Sequence, residues 1–192
     1  MRLKVLALCL ALLCLGLPAR AGESAYHAYA VALVAELPAG ITAREDMEQL
    51  LSQMANAARV KAGRKPLTLS NDFRVMARAQ ATDMVLGDFV GHQSVHGDGF
   101  HERFVAFAKP EMQYPARGEN AARDRQKGGV DKVKAARLFQ QWLDSAHHRQ
   151  NLMMTEYDFI STGAVAKGNH LYAVQVFWAA PAKSSCNLPG LC

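Results

Sequence analysis

The order of hydrophobic periods predicts an α+β domain. Between residues 42 and 152 the apolar residues recur at helical spacings, in three long runs and one short one. Between residues 160 and 178 they form two strand-length segments of period two. The length of 192 residues, 50% hydrophobic and 20% charged, fits one globular domain with a sizeable core.

Residues 1–21 read as a secretory signal. Arg2 and Lys4 give a positive start, residues 5–17 are largely apolar, and Ala19-Arg20-Ala21 offers a small-x-small cleavage site before Gly22. The apolar run is too short to span a bilayer, so no transmembrane anchor remains after cleavage. A lipoprotein anchor on Cys9 or Cys14 is the weaker reading, because leucine precedes both. The signal carries three of the 22 basic residues and no acid, so the mature balance is 19 basic against 17 acidic, or +2 instead of the formal +5. A balance this even gives no reason to invoke nucleic acid. The chain is expected to be secreted or periplasmic. Cys186 and Cys192 remain in the mature chain, and in an oxidising compartment they are candidates for a short disulfide that ties down the tail.

Residues 22–41 are an Ala- and Tyr-rich lead-in. Its run 28–35 is either a short helix packed on the domain or a linker. The domain proper is expected at residues 42–180, with 181–192 as a tail. Thr42 and Glu45 have capping-box spacing, and Met47, Leu50, Leu51, Met54 and Ala58 continue a helical stripe to Gly63. Asn56 and Arg59, on or beside that helix, are expected to be solvated. After a turn at Lys65-Pro66-Leu67, Ser70 is placed to cap a second helix to about Leu86, with Phe73, Met76, Ala77, Ala81 and Met84 inward. Its methionines read as gap-filling core and Gln80 as an edge residue.

Gly91, Gly97 and Gly99 make the next stretch a loop. It opens a tract with three histidines in ten residues, His92, His96 and His101, a composition seen in metal-binding segments. The glycines deny the three a common scaffold, so a single buried His92 pointing into a cleft is preferred. Residues 99–108 form a short helix with Phe100, Phe104 and Phe107 inward. Gly118-Glu119-Asn120 marks a strand start or tight turn, and residues 123–131 a solvated loop. From Val130 a long helix carries Ala135, Leu138, Trp142 and Ser145 on one face and ends near His148, where the helix dipole favours an imidazolium. Residues 160–166 and 171–178 are strands joined as a hairpin through Lys167-Gly168-Asn169.

Taken together, His92 with Ser94, Gly118-Glu119-Asn120, Trp142-x-x-Ser145-x-x-His148-Arg149-x-Asn151 and the Gln175-Val176-Phe177 strand resemble the bacterial branch of the CAP superfamily. That superfamily holds the cysteine-rich secretory, antigen-five and pathogenesis-related proteins. Asn56-x-x-Arg59 and Lys65-Pro66-Leu67 fit the same pattern, and the resemblance spans residues 45–178. It implies a three-layer α-β-α sandwich with a small, mostly antiparallel sheet and a cleft on one side.

Many eukaryotic members hold a divalent ion in a tetrad of two histidines and two glutamates. His92 and Glu119 match the first of each. Ser145 stands at the second glutamate position, with Asp144 beside it about 100° away on a helix. Tyr172 stands at the second histidine position, with His170 on its face about 7 Å back along the strand. The tetrad is incomplete, and His148 is the residue the bacterial pattern favours. The resemblance thus implies a cleft of His92, Glu119, Ser145 and His148. There His92, Glu119 and His148 either hold Zn2+ or another divalent cation, or form a hydrogen-bonded network without one. Two functions follow. One is an exported module that binds a small molecule, a lipid or a cell-envelope component. The other is a metal-dependent, peptidase-like hydrolase in the same cleft.

Overall fold

In this computed structural model residues 24–183 are described. The expected signal sequence and the Cys186–Cys192 pair lie outside the described residues. Helix α1 (Ala25–Ala35) precedes strand β1 (Ile41–Ala43) and helix α2 (Glu45–Lys61). Strand β2 (Thr68–Leu69), α3 (Arg74–Leu86) and α4 (Phe100–Phe107) follow, then β3 (Met112–Gln113) and β4 (Arg117–Asp124). Helices α5 (Lys132–Asp144) and α6 (Ala146–Met153) lead into β5 (Phe159–Lys167), β6 (His170–Trp178) and β7 (Ala182–Lys183).

The main sheet runs β1-β5-β6-β4 with all three pairings antiparallel, and β2 adds a short parallel pairing to β5. β3 and β7 form a separate two-stranded ribbon. Because side chains alternate across a strand, the sheet has two buried faces. Tyr172, Val174, Val176 and Trp178 of β6 pack with α1, α3 and α4. Leu171, Ala173 and Phe177 pack with α2, α5 and α6. This is the expected α-β-α sandwich. Gly163 of β5 makes its closest contact: a Cβ there would lie 2.2 Å from the Arg78 amide nitrogen, so α3 rests directly on the strand backbone.

Several local expectations change. The lead-in is a packed helix: Tyr26 and Ala30 are buried in the core, and the Tyr29 hydroxyl donates to the buried Asp83 carboxylate at 2.5 Å. Helix α1 thus packs on the same core as the residues after 42. Thr42 does not cap a helix but pairs with Ala166 in β1; Arg44 occupies the N-cap of α2 without a side-chain cap bond. Where β1 ends, Glu48 takes over its edge function, accepting from the Ala164 N–H and from both ends of the Arg78 fork. Ser70 does not cap α3, whose N-cap is Phe73.

Arg59 and Asn56 are not solvated. Arg59 is 1% exposed and donates to the carbonyls of Lys65, Leu152 and Met154. Asn56 exchanges two hydrogen bonds with the backbone of Leu67. Arg59 fastens α2 to the carbonyls at the end of α6, and Asn56 fastens it to the residue before β2, so these polar groups find partners. The stretch expected as a solvated loop begins with Arg123 and Asp124 still in β4. There Asp124, 2% exposed, accepts from Lys134 Nζ and Arg137 Nε.

Candidate functional site

β4 is an edge strand of the sheet, and its backbone and side chains carry the cleft. Glu119 lies opposite Val176, on the face covered by α1, α3 and α4; Asn120 points to the other face. The two helical layers meet around this edge. From one side come α4 and the histidine loop before it, from the other the first turns of α6.

The histidine loop is held by polar anchors. Gln80, fully buried in α3, donates to the carbonyls of Gly91 and Gln93, so it is no mere edge residue. Ser94 Oγ donates to the Asp98 carboxylate and accepts from the Asp98 N–H. These anchors place His92 Nδ1 2.8 Å from Glu119 Oε1. His92 is not buried, however: 44% of its side chain is exposed. The three histidines of the tract part company. His96 stacks edge-on against Tyr29, and His101 Nδ1 meets Arg117.

Glu119, 4% exposed, has a second and stronger partner. Arg103 of α4, fully buried, donates Nη1 to Oε2 at 3.0 Å and Nη2 to Oε1 at 2.8 Å, with a further bond from Nη2 to the His92 carbonyl at 3.0 Å. Burial works against the charge on Arg103, but the Glu119 carboxylate outweighs it and raises the Arg103 pKa. This two-pronged pair neutralises a buried charge that could not otherwise stand there. Arg103 escaped the sequence reading, although its position between Phe100 and Phe104, on the apolar stripe of α4, was the signal for an inward arginine.

Ser145 and His148 are placed differently from expectation. The helix from Val130 breaks at Ser145, which ends α5 and begins α6 in an extended conformation (ψ 120°) and accepts through Oγ from the His148 N–H. The hydroxyl serves this joint. His148 consequently sits in the first turn of α6, not at a helix C-terminus, and the dipole argument reverses. Its pKa is lowered, by burial first and then by His147 and His92. Its carbonyl accepts from Asn120 Nδ2, while Asn151 Nδ2 donates to the Glu119 carbonyl and to Asn120 Oδ1, so α6 is laced to the strand edge. Tyr172 pairs with Arg123, roughly 13 Å along the sheet from the Glu119 row, and accepts from Arg125; neither it nor His170 reaches the cleft.

The cleft, of about 270 Å³, is lined by His92, Phe100, Arg117, Gly118, Glu119, His147 and Asn151. It is His147 that lines it alongside His92. Beyond Arg117 an apolar groove of about 400 Å³ runs along Phe104, Val105, Ala108, Met112 and Tyr114. As a set for Zn2+ or another divalent ion, His92, Glu119 and His148 do not fit. Both Glu119 oxygens are already bound by a guanidinium, and no three acid, histidine or cysteine side chains are grouped for a metal among the described residues. Hydrogen bonds join His92, Glu119 and Arg103, while His148 enters only through its backbone, which accepts from Asn120 and donates to Ser145.

Residues 53–179 match the model of the cysteine-rich secretory protein (CAP) family, about two thirds of the chain. The chain belongs to this family. YkwD of Bacillus subtilis is 32% identical over 123 residues, 64% of this chain and 44% of YkwD. Among solved structures, an extracellular SCP-domain protein of Bacillus anthracis superposes with a TM-score of 0.58 at 21% identity, covering 71% of this chain and 41% of that one. An outer surface protein of Borrelia burgdorferi gives 0.59 at 17% identity, covering 72% and 97%. These likenesses carry the CAP fold. The chain spans under half the length of YkwD and of the Bacillus anthracis protein.

Proposed function

We propose that this CAP protein is an exported binding module whose β4-edge cleft receives a small molecule, a lipid or a cell-envelope component. The carrying observation is the Arg103 clamp: with both oxygens of Glu119 engaged, the cleft has no free carboxylate to act as base, and no ion-holding set is grouped among the described residues. The apolar groove joined to the polar pocket at Arg117 supports the same reading, since binding sites combine apolar walls with a few fixed polar groups. Export rests on the signal read in residues 1–21, and the extracellular and outer-surface proteins of the same fold support it. No helix among the described residues is long and apolar enough to cross a membrane.

The secreted chain, incubated with lipid vesicles and cell-wall fragments, is expected to retain at least one fraction equally with and without chelator. Its mass should place the N-terminus at Gly22. Peptide hydrolysis that chelator and His92→Ala both abolish would overturn the reading in favour of the hydrolase.

A further inference from the structure

The charge of the cleft is not used up by its own hydrogen bonds. Glu119 is the one acid among its lining residues, and the buried Arg103 closes on both of its oxygens. The cation that lines the opening is Arg117. Arg117 is exposed, lies over the Phe104 ring and meets only the imidazole of His101, with no carboxylate against it among the described residues. His147 and His92, both exposed, line the same cleft, with His92 Nδ1 held by Glu119. The start of α6 adds the positive end of a helix dipole on the same side.

We infer that this cleft binds an oxyanion, a phosphate or carboxylate group of the ligand, gripped by the Arg117 guanidinium with His147 beside it and His92 lining the same pocket. The inference rests on the binding-module reading and names the chemistry that module selects. A guanidinium fork matches a planar or tetrahedral oxyanion, and its weak hydration suits a half-enclosed site. A volume of about 270 Å³ accommodates a headgroup, and Arg117 borders the apolar groove, so the remainder of a ligand has a path away from the head.

The test titrates inorganic phosphate into the full chain at constant ionic strength and follows the ring resonances of His92 and His147. Both should shift and saturate. Arg117→Gln should weaken binding about tenfold or more, the loss of one charge-assisted contact. Arg149→Gln makes the same change in net charge, but Arg149 lies outside the lining and donates to the Leu143 carbonyl; it should leave affinity within about twofold. Shifts that never saturate, or equal losses in the two variants, overturn the inference.

Phosphatidylglycerol and phosphatidylcholine vesicles separate the sources. Retention by the former alone, lost in Arg117→Gln, assigns a lipid headgroup. Phosphate saturation without vesicle binding assigns a soluble or wall-borne phosphate. Retention of neutral envelope fractions with no response to phosphate overturns the oxyanion and leaves the module; phosphate saturation with no envelope fraction retained keeps the oxyanion and overturns the lipid and envelope ligands of the module.

Discussion

Arg103 shows how much one side chain decides here. Removing it as Arg103→Ala would strand Glu119, 4% exposed, without a counter-charge. Breaking one partner of a buried pair costs about 3–5 kcal/mol. Urea unfolding should show that loss for Arg103→Ala, and a smaller one for Arg103→Met with Glu119→Met, because the pair then leaves no charge behind. A simple sum of the two single losses in the double variant would show that the two do not act together. At this scale the sequence is partly legible. His92 and Glu119 could be found from their motifs, and they do meet. Arg103 had a signal in its place on the apolar stripe of α4, whereas Arg59 and Gln80 could not be told from surface residues, since each is satisfied by backbone carbonyls elsewhere in the chain.

Helices and strands were legible wherever one periodicity persisted. β5 and β6 run one residue beyond the expected spans at each end, except the last residue of β6, joined by the Gly168-Asn169 turn. The continuous helix expected from Val130 fails because Ser145 offers its hydroxyl as a cap, restarting the helix after one extended residue. Close packing yields a prediction at this scale. Gly163→Ala must push α3 off β5, because the clash is with backbone and no rotamer can relieve it. A destabilisation of about 3 kcal/mol is expected by denaturant titration. Helix α1 gives another. A chain starting at Gly40 would lose the apolar cover of Tyr26, Tyr29, Ala30 and Leu33 on α3 and α4. Its Tm should fall by about 10 °C or more, by calorimetry. An unchanged Tm would make the lead-in a linker after all.

For the whole molecule, acid sensitivity should trace to the far end of β4. Burial alone would raise the Asp124 carboxyl, but hydrogen bonds from Arg137, the Gln126 N–H and Lys134 outweigh it and hold its pKa below the ordinary 3.8. A carboxyl depressed in the folded state stabilises above the unfolded pKa, and that stability is lost as pH falls through the folded value. Asp124→Asn should therefore be less stable at pH 7 and lose less on acidification below about pH 4; urea midpoints across pH check both. The order of layers was within reach of the sequence through family resemblance, while the position of the cleft on the rim of the sheet was not.

From the amino-acid order alone came the α+β class, the hairpin and the helical stripes, because local periodicity is written in neighbouring residues; the pairing of His92 with Glu119 came through the family resemblance. The burial of Arg103, the turn of His148 onto the start of a helix and the presence of His147 in the cleft were decided by tertiary packing. They depend on which charge meets which across segments 16 to 55 residues apart, such as Arg103 with Glu119 and His92 with His147, and no local pattern encodes that encounter.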